Sequence, residues 1–353
     1  MGDCIYVTEI GNHAFHGCSD LREVILNDGL QRIGVGAFIN CASLQRITIP
    51  STVTEIGNSA FNGCQNLREV TFNDGLQKIM LCAFYNCTSL ESIKLPSTVT
   101  EIGESAFRKC SNLRDVTLNE GLQKIGYHAF YNCTSLNSIT LPSTVKEIGY
   151  HAFSHCSNLK EVTLNDGLQK IGPFAFQSCE SLESITLPST SVEIGDYAFH
   201  SCSSLREVEL NMVPLNLKSS AFYNCGALER VLFPAISYRL VNIIETGHWE
   251  DFEDKVNEVR GVVQYSIINI WEDNKLFVPR PTRIDWNDVR RDLGKITRLV
   301  SYYELKEATS TFELALWKSK LDQEDATNTT NRAAYRIDVP GPVKDTLLQY
   351  LDH

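Results

Sequence analysis

The amino-acid sequence predicts a right-handed solenoid of stacked, short parallel β-strands with one helical turn per coil, followed by a small, mainly α-helical C-terminal module. A strict period, an alternation of turn types and the point at which both stop carry that reading. The pattern Ala-Phe-x-x-Cys-x-x-Leu-x-x-Ile-x-Leu, as in 129–141, recurs with its Phe at 15, 38, 61, 84, 107, 130, 153, 176, 199 and 222, every step being 23 residues, with Val often at the Ile position and Ile or Phe at times at the last Leu. Self-similarity at such a period marks a repeat architecture in which neighbouring units bury what one unit cannot. The turns alternate between Asn-Asp/Glu-Gly, beginning at Asn27, Asn73, Asn119 and Asn165, and Pro-Ser-Thr, beginning at Pro50, Pro96, Pro142 and Pro188, so the complete period is a 46-residue pair. Near Pro234 the period ends, and all four tryptophans (Trp249, Trp271, Trp286, Trp317) lie beyond it. The expected domains are therefore 1–233, with ten repeats, and 234–353.

Each coil reads as strand, turn, strand-like bend and helical turn. Leu-x-x-Ile-x-Leu, for example Leu90 to Leu95, alternates with period 2, which turns the Ile and the final Leu inward. A second short apolar segment follows, as in Val99 to Gly103, and the stretch Ala106 to Cys110 has room for one helical turn only. Stacked at about 4.8 Å per coil, ten units would form a continuous core roughly 48 Å long. Right-handed crossovers are the general rule for parallel strands. The Phe column is the heaviest component of that core.

Ten of the twelve cysteines share one column. Parallel Cβ vectors about 4.8 Å apart do not suit a disulfide, whose Cβ atoms lie about 3.8 Å apart and inclined to each other. The column reads as buried free thiols packing as small hydrophobes, with Cys4 and Cys82 outside it and more exposed. His128 and His151 lie one coil apart in another column, and two imidazoles with no carboxylate or thiolate make at most an adventitious metal site.

The outward positions of the strands carry charge. One column holds Glu23, Arg46, Glu69, Ser92, Asp115, Ser138, Glu161, Ser184, Glu207 and Arg230. The position before it holds Arg22, Gln45, Arg68, Glu91, Arg114, Asn137, Lys160, Glu183, Arg206 and Glu229. Opposite or neutral neighbours separate like charges, which avoids the cost of like charges placed directly opposite. A solvated, self-complementary ladder accounts for this, and so does a recognition face. The candidate partner-binding residues are Arg46, Arg68, Glu69, Glu91, Lys94, Arg114, Asp115, Lys160, Glu161, Glu183, Arg206 and Glu207. The third outward column is largely threonine, which β-propensity explains.

In the second domain, Trp249, Phe252, Val256 and Val259 lie on one helical face. Residues 262–278 read as a hairpin around Glu272-Asp273-Asn274-Lys275. Asp285 reads as a helix N-cap, and Val289, Leu293, Ile296 and Val300 continue an apolar stripe; a second stripe runs from Leu305 to Ala315. The region contains no phosphate loop, zinc-protease motif or nucleophile elbow, so neither an enzyme nor a bound cofactor is expected. The formal net charge of -11 disfavours nucleic acid as a partner. No apolar run approaches the roughly 18 residues of a membrane span, and residues 1–6 match no secretory signal. A soluble, cytoplasmic, monomeric protein is expected, with no membrane insertion.

With Leu-Pro-Ser-Thr-Val-Thr-Glu-Ile-Gly-x-x-Ala-Phe-x-x-Cys-x-x-Leu at 95–113, residues 5–233 resemble the BspA-like leucine-rich repeat family. The tail, with Phe312-Glu313-Leu314-Ala315-Leu316-Trp317-Lys318 and Val339-Pro340-Gly341-Pro342-Val343-Lys344-Asp345, resembles tails of related repeat proteins predicted in single-celled algae. The resemblance implies a leucine-rich repeat solenoid, binding to protein or matrix and, in many bacterial and parasite members, cell-surface adhesion. The resulting expectation is a non-catalytic scaffold that binds a protein partner along the strand face. The alternative is an extracellular or cell-surface recognition protein whose N-terminal signal is missing from this chain.

Overall fold

In the computed structural model, the described residues are 7–190, 193–210, 216–217, 220–233, 269–270, 276–279, 291, 296, 300 and 301. The chain divides into two compact units, Met1–Ala235 with Ile267–Arg290, and Ile236–Ser266 with Arg291–His353. We number the coils of the first unit 1 to 10 by their Phe, from Phe15 to Phe222.

Each coil contributes a two-residue strand before its Phe and, from coil 2 onward, a longer strand after it. The short strands, from Glu9–Ile10 to Asn216–Leu217, form one ten-stranded sheet whose neighbours are one coil apart. Their inward Ile pairs in register down the stack, Ile102 with Ile125 and Ile125 with Ile148. Their outward residue alternates in sign, Glu9, Arg32, Glu55, Lys78, Glu101, Lys124, Glu147, Lys170 and Glu193, each beside the next. An exact 23-residue repeat would stack like on like here; the 46-residue pair removes that repulsion. The resulting contacts, such as Arg32 to Glu9 at 3.3 Å and Lys170 to Glu193 at 3.8 Å, are exposed and so contribute little stability individually.

The core lies between this sheet and the longer strands. Phe38 to Phe222 are buried and stack with ring centroids 5.1–5.4 Å apart, from Phe15 on Phe38 to Phe199 on Phe222. The cysteine column from Cys41 to Cys225 is buried and free, whereas Cys18, in the first coil, is exposed and Cys82 is half-buried; Cys4 lies outside the described residues. Each column thiol donates to the Phe carbonyl of the coil before it, as Cys133 Sγ does to Phe107 at 3.2 Å and Cys156 Sγ to Phe130 at 3.2 Å. The column therefore selects a small apolar residue that still carries a donor, a requirement that packing alone did not reveal.

The expected helical turn is not helical. In coil 6, Ala129, Tyr131 and Cys133 donate to carbonyls three residues back, while His128, Phe130 and Asn132 donate to the next coil at 2.7–2.8 Å. His128 and Asn132 adopt φ of 54° and 61°, in the left-handed region that Asn visits readily and most residues avoid. Stacking is the physical reason: alternate N–H groups are drawn along the solenoid axis, whereas a helix would use them all internally.

The longer strands show the paired repeat as architecture. Even coils pair fully with the odd coil after them: Arg46–Ile49 with Glu69–Phe72, Ser92–Lys94 with Asp115–Thr117, Ser138–Thr140 with Glu161–Thr163, and Ser184–Leu187 with Glu207–Leu210. From coil 3 to coil 4 only Glu69 pairs with Ser92. No strands pair from coil 5 to 6 or from coil 7 to 8, and the face divides into separate sheets there. From coil 9 to coil 10, by contrast, Glu207–Glu209 pairs with Arg230–Leu232, although Pro234 follows at the place of Pro188; the turns therefore favour the asymmetry without imposing it at every step. Glycine lets the odd turn settle against the serine carbonyl of the even turn before it; a Cβ on Gly121 would lie 2.6 Å from the Ser97 oxygen. Proline ends the even strand with a ring where a ladder N–H would stand. Across the opened steps the turns are joined instead by side chains, Thr98 Oγ1 donating to the Leu76 carbonyl and Thr144 Oγ1 to that of Leu122, both at 2.6 Å.

At the end of the solenoid Arg230–Leu232 pairs antiparallel with Leu276–Pro279, which pairs in turn with Asn269–Ile270. The hairpin expected near 262–278 thus exists, and it extends the repeat unit's sheet, so residues past 233 belong to that unit. In the second unit Arg291, Ile296, Val300 and Ser301 are helical, with Ile296 and Val300 buried, as the stripe requires. The helix expected at 249–259, the N-cap at Asp285, the stripe from Leu305 and the tail motifs lie outside the described residues.

Candidate functional site

The strand face is built by period-2 alternation: inward Ile or Val anchors each strand and directs its flanking residues to solvent. In Arg46–Ile49 and Glu69–Phe72 exposed and buried positions alternate without exception. Arg46, Glu69, Lys94, Asp115, Glu161 and Glu207 occupy outward positions within strands. Arg68, Glu91, Arg114, Lys160, Glu183 and Arg206 stand just before them. Main-chain bonds hold this second set at one-coil intervals, among them Arg114 N to Glu91 O at 2.9 Å and Lys160 N to Asn137 O at 2.8 Å. All twelve are exposed except Glu207, which is half-buried and meets Arg230 at 3.1 Å.

The expected charge ladder is present, since Arg46, Glu69, Ser92 and Asp115 follow one another in register and Arg114 bonds Glu91 at 2.9 Å. The twelve residues do not share one sheet. Arg46, Arg68, Glu69, Glu91, Lys94, Arg114 and Asp115 belong to coils 2–5, Lys160 and Glu161 to coil 7, and Glu183, Arg206 and Glu207 to coils 8 and 9. At the step from coil 7 to coil 8 the face opens into a concavity of about 440 Å³, with Lys160, Glu161, Asp166, Ser184 and Thr186 among its walls and Val162, Leu164 and Ile185 beneath. Its polar rim and apolar floor suit recognition. It presents no assembled nucleophile, acid and base.

A second surface feature escaped the reading by strands. The left-handed column of the turns holds His128, His151, Phe174 and Tyr197 in successive coils, stacked at 5.1, 4.8 and 5.0 Å. Tyr150 packs edge-on against His151 at 4.1 Å, and the Arg108 guanidinium lies 4.5 Å over the Tyr131 ring. The signal was available in that one column, but reading its two histidines as potential ligands obscured the stack. Parallel imidazoles do not converge on a point, and among the described residues no group of three or more His, Cys, Asp or Glu is placed to hold a metal ion. Burial, with His128, His155 and Arg108 adding positive potential, pushes His151 down to about 4. Burial likewise lowers His128 and His200. The Nδ1 atoms of all three are buried without a partner.

Burial pushes Cys64, Cys110 and Cys156 up to about 12, which leaves them unreactive as nucleophiles, whereas a hydrogen bond with Cys202 lowers Cys225 at the end of the column. No helix among the described residues is long and apolar enough to cross a membrane.

Against known proteins, the family model for the BspA type leucine rich repeat region matches in six copies, over residues 5–113, 33–149 and 123–244. A leucine rich cell surface protein from Faecalibacterium prausnitzii is 29% identical over 64% of this chain and 69% of its own, with a TM-score of 0.42. A leucine-rich repeat protein from Bacteroides ovatus is 26% identical over 63% of this chain and 62% of its own, with a TM-score of 0.47. The leucine rich repeat protein of T. pallidum is 34% identical over 50% of this chain and 79% of its own, with a TM-score of 0.43. Among functionally curated proteins, none matches.

Proposed function

Because the chain belongs to the BspA-type leucine-rich repeat family, we propose that it is a non-catalytic scaffold that binds a protein partner along its strand face. The observation that carries this reading is the rigid, outward array of charged residues, spaced one coil apart and backed by a continuous core. Because the strands that carry it are already fixed, binding has side chains to order but no backbone, which favours affinity. The proposal includes a monomeric protein of the cytoplasm; free thiols throughout the cysteine column fit a reducing compartment.

The test is affinity capture from native lysate with the full chain as bait, beside a variant carrying Glu69→Lys, Asp115→Lys and Glu161→Lys. All three side chains are exposed, so far-UV circular dichroism should be unchanged. The expected result is loss of the captured protein; a folded variant that captures it undiminished would remove the strand face from consideration.

A further inference from the structure

We propose that the strand face takes up an extended, basic segment of its partner in polyproline-II conformation, laid along the solenoid axis across the openings between coils 5 and 6 and between coils 7 and 8. The inference rests on the strand-face reading above and specifies the chemistry that would satisfy it.

The two openings are equivalent by the 46-residue pair. Arg114, Asp115, Thr117 and Glu120 at the first correspond to Lys160, Glu161, Thr163 and Asp166 at the second. Both steps lack strand pairing, and at both the inward residues of the odd coil, Val116 with Leu118 and Val162 with Leu164, are left partly exposed. Each opening therefore offers an apolar floor beside outward charge. Two coils separate them, about 10 Å at the spacing of parallel strands. A polyproline-II chain has three residues per turn and rises about 3.1 Å per residue, so side chains at i and i+3 lie on one side about 9.3 Å apart. A β-strand, whose side chains repeat on one face about every 6.7 Å, does not match that interval. Polyproline II also leaves its backbone free to bond laterally, and Thr163 and Ser184 line the second opening.

Charge selects the side chains. Glu161 and Asp166 line the second opening with a single base among its walls, Lys160, and Lys146 lies beside Gly167. Beyond it Glu183, Glu207, Glu209 and Glu229 outnumber Arg206 and Arg230. At the first opening Arg114 is already bonded to Glu91 at 2.9 Å, and Asp115 and Glu120, the latter accepting from the Ser143 hydroxyl at 3.0 Å, remain as outward carboxylates, with Lys94 one coil away beside Thr117. A lysine or arginine at every third residue would meet Asp115 and Glu161 in turn.

The experiment titrates the full chain with three fluorescent peptides: four repeats of Pro-Pro-Lys, four of Gly-Ser-Lys with the same charge but no stiffness, and four of Pro-Pro-Glu. The Pro-Pro-Lys peptide should bind about tenfold tighter than Gly-Ser-Lys, because its bound conformation is preformed, and Pro-Pro-Glu should not bind. Asp115→Lys and Glu161→Lys should each weaken Pro-Pro-Lys binding about tenfold. Glu104→Lys, which makes the same charge change away from the strand face, should leave it unaltered. Should either reversal compromise folding, Asp115→Gln and Glu161→Gln remove the charge alone and should weaken binding in the same direction. Equal binding of the two lysine peptides, equal weakening by Glu104→Lys, or no binding would overturn the proposal. If the peptides fail while strand-face reversal still abolishes lysate capture, the scaffold reading stands and the basic polyproline-II segment is refuted.

Discussion

Replacing Phe130 by alanine probes the feature on which the solenoid depends most. The ring is fully buried and sits between Phe107 at 5.4 Å and Phe153 at 5.2 Å. Truncating a buried Phe costs roughly 3 to 5 kcal/mol, the larger values applying where the site cannot collapse. Collapse is resisted here because both neighbouring coils are tied to coil 6 by main-chain bonds, Phe107 N to Ala129 O and Phe130 N to Ala152 O. Phe15 supplies the internal comparison, since it is 37% exposed and stacks on Phe38 from the end of the array. Phe15→Ala should cost about 1 to 2 kcal/mol, less than the full transfer value of a buried side chain. Urea denaturation followed by circular dichroism measures both. In a quasi-one-dimensional array a central lesion weakens two interfaces at once, so hydrogen exchange should also accelerate at Tyr131 and Cys133 before it does in coil 3. A loss below about 1 kcal/mol for Phe130→Ala, or one no greater than for Phe15→Ala, would refute the reasoning.

Two further outcomes follow from the side chains. Native protein treated with iodoacetamide at pH 8 should be alkylated first at the exposed Cys18 and more slowly at the half-buried Cys82, which burial also raises, while Cys64, Cys110 and Cys156, held near 12 by burial, react only after unfolding; mass spectrometry of the labelled peptides decides it, and early labelling of Cys110 would contradict the packing. Because the folded state lowers His151 to about 4, against an ordinary value near 6.5, the unfolded chain binds the extra proton first, and the stability gained from the neutral ring is complete above about pH 6.5 and lost as pH falls toward 4. Phe174 already occupies the same column with φ of 57°, so His151→Phe should keep the stack and flatten the fall in melting temperature between pH 7 and 4.5; an unchanged slope would show that His151 is not its source.

Much of the repeat unit was legible because repetition multiplies a weak signal. One Leu-x-x-Ile-x-Leu is an ambiguous strand, but ten segments of the form Leu-x-x-Ile/Val-x-Leu/Ile/Phe at a 23-residue interval leave no other way to bury Phe, Ile, Leu and Cys together. The alternation of Asn-Asp-Gly with Pro-Ser-Thr was also visible, as was the outward charge of Glu69, Asp115 and Glu161. The hairpin showed in its β-rich run and polar turn, although nothing local says that 276–279 pairs with 230–232, which are remote in sequence.

What the sequence by itself determined was the inventory of each coil and its direction: which residues turn inward, which outward, and where the 23-residue period ends. The tertiary structure decided how neighbouring coils divide their hydrogen bonds. It made the Ala-Phe-x-x-Cys segment a chain of turns, because alternate N–H groups bond along the axis. It gave the cysteines a donor's role toward the Phe carbonyl of the coil before. It also opened the strand face between coils 5 and 6 and between coils 7 and 8 while leaving the equivalent step from coil 9 to coil 10 paired, although a proline follows the even strand in each case. These outcomes depend on contacts between residues 23 or 26 positions apart, and such contacts exist only once the coils have stacked.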